Sequence, residues 1–158
     1  MRWLKLWWPA ILWAFLISLF STDMFTSEKT GQVIVPLLHW LFPRASNETI
    51  YFLHHIIRKS AHFVEYFVFS LLVLRGIRAG RHSTQLGWAL AAIALVGAYA
   101  ALDEYHQSFV PGRTAAVADV LLDTSGGIAA QVMAALLMLW GDVRRRDRER
   151  LIVPSKPA

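Results

Sequence analysis

Arg58, His62 and Glu65 follow one another at spacings of four and three in an otherwise apolar stretch. At 100° per residue they fall within an arc of about 60°, one stripe along a helix face. Two later segments carry a similar load: Asp103, Glu104 and Gln107 with Arg113 just beyond, then Asp119 and Asp123 one helical turn apart. Lys59 adjoins the stripe. Inside a bilayer each ionised side chain costs about 2.5–3.5 kcal/mol on insertion scales, so such groups need partners or a use.

Several chemistries fit these residue types. A pocket with Arg58, Lys59 and Arg113 as cations and Glu65, Asp103, Glu104, Asp119 and Asp123 as anions suits a zwitterionic or phosphate-bearing ligand. His62 could act as a general base oriented by a carboxylate, its ordinary pKa being near neutrality. His62 and Glu65 could join Glu104, Asp119 or Asp123 around a divalent metal, but carboxylate bundles use the reverse Glu-x-x-His order and a second copy, so no metal or other cofactor is expected. The plain alternative is that Arg58 pairs with Glu65, or Arg113 with Asp119, to pin helices together. Eight ionisable groups are more than that task needs. His39, His54, His55, His82 and His106 read as interface residues, and Phe63, Tyr66, Phe67 and Phe69 as packing and lipid contact. The sequence lacks cysteine, which excludes disulfides and thiolate chemistry. P-loop, HExxH, GxSxG and dinucleotide-glycine patterns are likewise absent from it.

The elements that must position these groups are membrane helices. Of 158 residues 56% are hydrophobic, more than one soluble core of this length would hide, and mean hydropathy is +0.41. A first apolar run, Leu6 to Phe20, follows Trp3, Trp7 and Trp8, and reads as an uncleaved helix rather than a signal peptide because no small-x-small site follows it. Val33 to Pro43 is too short to span and is bounded by prolines, which suits an interfacial or re-entrant segment. The second span starts within Ile50 to Ile57 and runs through Ser60 to Ala79, about 30 Å. Gln85 to Leu102 is the third and Val117 to Trp140 the fourth, about 36 Å long. The expected architecture is an all-α membrane protein of about four transmembrane helices. It forms one domain over 1–150, with its core at about 20–140 and a short disordered tail at 151–158.

The net charge of +5 resides in short clusters between apolar runs, where orientation against anionic lipid explains it better than nucleic acid. Eleven Lys and Arg fall on the side of the termini and the turn near Arg78, five on the other. That asymmetry places both termini in the cytoplasm and the polar positions at the outer leaflet.

The chain resembles the VanZ-like family of small bacterial membrane proteins. The resemblance rests on Arg58 to Tyr66, on Asp103 to Arg113, and on Asp119 with the Asp123 to Gly127 stretch. The motif positions it carries over are Arg58, Lys59, His62, Glu65, Asp103, Glu104, Gln107, Pro111, Arg113 and Asp119. The family is named for an accessory protein associated with teicoplanin resistance, which implies a cell-envelope role without fixing a reaction. Where the family often has asparagine this chain has Asp123, so either that acid is protonated or its partner is a cation. Three functions stay open: binding of a membrane lipid or cell-wall-related ligand, catalysis on such a lipid with His62 or Glu65 as base and Asp103, Glu104 and Asp119 as metal or acid groups, and a structural role beside another envelope protein.

Overall fold

A computed structural model describes residues 2–81, 85–113 and 115–152. His82 and most of the expected tail, 153–158, lie outside the described residues. The described chain is all-helical, and four of its helices are long and apolar enough to cross a membrane. Helix α1 is Arg2–Phe20; a 3₁₀ turn, Asp23–Phe25, leads to α2, Ser27–Leu41; then follow α3, Asn47–Arg78, α4, Leu86–Gln107, and α5, Val117–Ile152.

Local chemistry explains the boundaries, and several differ from expectation. The segment between the first two spans is one 15-residue helix with Pro36 inside it, not a stretch bounded by prolines. Thr26 caps it, its hydroxyl accepting from Lys29 N at 3.3 Å. Pro36 and Gln32 are exposed, so the carbonyl that the proline leaves without a donor is solvated. The second span begins earlier, at Asn47, because Ser46 caps it through Thr49 N at 3.2 Å. At 32 residues α3 is about 48 Å long, well beyond one hydrocarbon thickness. The third span continues past Leu102 to Gln107, and the fourth continues past Trp140 to Ile152, which takes the first two residues of the expected tail into a helix.

Helix α3 is the hub and packs on α5, α1, α4 and α2. Its core face carries Tyr66, Phe69, Val73 and Leu74 against Ile17 of α1, Val96 and Ala100 of α4 and Ala134 of α5. Tyr66, Phe69 and Tyr99 form an aromatic trio with centroids 5.1 to 6.4 Å apart. α3 and α5 approach closely, since a Cβ on Gly126 would stand 2.4 Å from the Phe63 carbonyl oxygen. Gly126, Ala130 and Ala134 are all buried, so the small-residue stripe of α5 is its contact face. Polar contacts also cross that seam: Gln131 Nε2 donates to Ser70 Oγ at 2.7 Å, and Ser70 Oγ donates to the Gly127 carbonyl at 3.0 Å.

α3 ends on Ala79 in the left-handed region, at φ 51° and ψ 36°. An L side chain is strained there and glycine is not. Ala79→Gly is therefore expected to stabilise by about 0.5–1 kcal/mol, raising the melting midpoint in detergent by a few degrees. An unchanged or lowered midpoint would contradict that account of the cap.

Candidate functional site

The C-terminal ends of α1 and α4, the N-terminal half of α3 and the N-terminal end of α5 all lie at one end of the bundle, with α2 and the loop carrying Arg113 beside them. Contacts across these elements fix the arrangement. Ser21 Oγ, at the end of α1, donates to Asp103 Oδ2 of α4 at 2.7 Å, and Gln107 Nε2 donates to the same oxygen at 2.9 Å. Gln107 Oε1 accepts from Arg113 Nη1 at 3.2 Å. Arg113 Nη2 donates to the main-chain carbonyls of Phe20, Thr22 and Phe25, at 2.5, 3.3 and 3.1 Å. Arg113 thus ties the α4–α5 loop to the end of α1. Burial draws its guanidinium below the ordinary arginine value, while the carboxylates of Asp103, Glu104 and Glu65 pull it back up, and it stays protonated.

Arg58 reaches the same corner from α3. Its Nη1 donates to Thr30 Oγ1 at 2.8 Å and to the Phe25 carbonyl at 3.0 Å, so one carbonyl oxygen accepts from both arginines. Lys59 pairs with Asp119 of α5. One turn further along α3, His62 Nδ1 stands 3.8 Å from Asp123 Oδ1. That is too long for a hydrogen bond, and neither atom has another protein partner.

Two cavities meet here. A polar one of about 180 Å³ is lined by Lys59, His55, Gln107 and Asp119, and a chamber of about 210 Å³ is walled by Phe20, Phe25, Ile34, Ile57 and Ala61 with Glu65. Arg58, His62 and Arg113 line both.

The structure brings most of the expected polar set to this corner, but not all of it to the cavities. Asp103 is turned toward Ser21 and Gln107, and Glu104 Oε1 accepts from Ala116 N at 2.6 Å, holding the approach to α5. Asp123 is buried behind His62, with a relative exposure of 2%. The ion pairs that the plain alternative offered, Arg58 with Glu65 and Arg113 with Asp119, are not formed among the described residues. Among the described residues Lys59 takes Asp119, and both guanidiniums point at carbonyl oxygens. His54 is not an interface residue: it is buried, with Nε2 3.3 Å from Thr30 Oγ1. No group of three or more His, Asp or Glu among the described residues is arranged to hold a metal ion.

Sequence reasoning missed Ser21, Thr30 and the Phe20 and Phe25 carbonyls. Ser21 had a faint signal, a hydroxyl at the end of the first apolar run, whereas Thr30 had none. The Tyr66 hydroxyl was also missed; the residue is wholly buried and its oxygen lacks a protein partner.

A family model described as VanZ/LLP1 matches residues 6–138. No curated protein and no solved structure matches the chain.

Proposed function

From the premise that the chain belongs to the VanZ/LLP1 family and is a multi-pass membrane protein, we propose that the corner beneath the end of α1 binds an anionic or zwitterionic ligand, a lipid headgroup or a cell-wall-related group. The observation that carries this reading is the sharing of Arg58, His62 and Arg113 by two adjoining cavities, with Lys59 and Asp119 alongside. Guanidinium groups suit phosphate and carboxylate oxygens, and a carboxylate beside them suits an amine. The bias of Lys and Arg toward the opposite end of the bundle supports an outward-facing site in a bacterial inner membrane. Such a site would act on the envelope and alter glycopeptide susceptibility.

Arg58→Gln is the direct test, since Arg58 contributes a charged donor to the cavities and holds only Thr30 and Phe25 in return. Losing one charge-assisted hydrogen bond of about 1.5–3 kcal/mol lowers affinity for a phosphate-bearing lipid by about ten- to a hundredfold, with the protein still folded. Full affinity in the variant would end the reading.

A second reading is catalysis on such a lipid, and one observation favours it: His62 lines both cavities while its Nδ1 faces the buried Asp123 carboxylate behind it, 3.8 Å away. As a general base His62 would accept a proton from water or a ligand hydroxyl, and Asp123 would stabilise the resulting imidazolium. His62→Gln would then abolish turnover of a lipid substrate while its binding persists. Retained turnover would exclude His62 as the base.

A further inference from the structure

The two cavities differ in kind, and their difference says what sort of molecule spans them. The polar one is walled by groups that hydrogen-bond. The other has five carbon walls, and Phe20 and Phe25 form one side of it in an edge-to-face pair with centroids 5.0 Å apart. A soluble anion held at the shared cations would leave that chamber to water, which apolar walls hold poorly. We propose that the ligand is a phosphate-bearing membrane lipid whose phosphate sits at Arg58, His62 and Arg113 while the start of its hydrocarbon chain lies in the chamber formed by α1, the 3₁₀ turn, α2 and α3. This rests on the binding reading above and narrows it to a two-part amphiphile.

Two further features agree. Arg113 Nε is a buried donor without a protein partner on a residue that lines both cavities, where a ligand oxygen supplies what the protein does not. Glu65 reaches the chamber beside the arginines, placed to accept from a hydroxyl at the junction of headgroup and chain.

The test compares sn-glycerol 3-phosphate with dihexanoyl phosphatidic acid, which carry the same phosphate without and with chains. Binding is read as protection of the detergent-solubilised full chain against heat. Each buried methylene strengthens binding by about fourfold, so three or more give the lipid an advantage well above tenfold. Ala61→Phe fills the chamber from α3 and Ile34→Phe from α2, and micelle partitioning is the same for these variants as for the unmodified protein. The expected result is that either substitution, in whichever variant keeps the wild-type helicity, erases the lipid's advantage and leaves glycerol phosphate binding as it was. If the advantage survives a filled chamber while Arg58→Gln weakens both probes, the chain-binding inference is wrong and the headgroup reading stands. Failure of both probes to protect the unmodified protein would overturn both.

Discussion

Arg113→Gln is expected to melt about 10 °C or more below the parent in detergent, a larger loss than any other single polar change at this end of the bundle. Its guanidinium donates to three carbonyls at the end of α1 and to Gln107. Two of those acceptors have substitutes: Thr22 O also accepts from Phe25 N, and Phe25 O keeps Arg58. Phe20 O and Gln107 Oε1 have none in this arrangement. At about 1.5–3 kcal/mol for each hydrogen bond to a charged group, the loss is about 3–6 kcal/mol. Arg113→Lys keeps the charge but places one ammonium where a planar fork reached several carbonyls, so it recovers only part of the loss. The contrast with Arg58→Gln, which lowers affinity without unfolding, separates a residue that builds the site from one that uses it. Equal melting of Arg113→Gln and the parent would show that the carbonyl contacts carry no stability.

Gly126→Leu is the second large effect, and it acts through volume. Even the Cβ of Gly126→Ala meets the Phe63 carbonyl at 2.4 Å, and that obstacle is main chain, which cannot swing aside as a side chain would. Overpacking of this kind costs about 1–3 kcal/mol for the alanine and more for leucine. Because Phe63 adjoins His62, forcing α3 away from α5 also moves His62 away from Asp123, so stability and ligand affinity should fall together. Gly141→Ala is the control: nothing lies within 4 Å of its added Cβ, and an alanine in a helix is favoured by about 0.5–1 kcal/mol. A thermal melt of the three variants, with lipid binding measured on the same samples, checks the pattern. A Gly126→Leu protein as stable as Gly141→Ala would mean that the two helices do not meet as closely as described.

What could be read from the sequence was what obeys a helical period. Arg58, His62 and Glu65 fall on one face of α3, Asp119 and Asp123 on one of α5, and the step from Asp123 to Gly126, Ala130 and Ala134 marks the face that packs. The four spans follow from hydropathy for the same reason. What escaped depends on groups that sequence does not distinguish. Main-chain carbonyls are the acceptors for both arginines, and every residue has one, so nothing marks Phe20 or Phe25. The choice of Lys59 rather than Arg113 for Asp119 is a matter of reach across two helices. Proline misled at α2, since Pro36 usually signals a break but here sits on an exposed face where its missing donor is tolerated. Buried His54 escaped because a histidine near a helix start looks like an interface anchor until a partner such as Thr30 is known.

The dependence of α3 on α5 also has a temporal side. A ribosome delivers α3 to the membrane well before α5, so for a time the groove around Phe63 and Ser70 has no helix against it, and His62 and Lys59 lack Asp123 and Asp119. The nascent protein therefore holds Lys59 without its carboxylate partner until the last span arrives. A chain stalled or cut before Val117 would leave the Lys59 ammonium without Asp119 and the Phe63 groove without Gly126, a state that costs the protein both its charge match and its tightest packing.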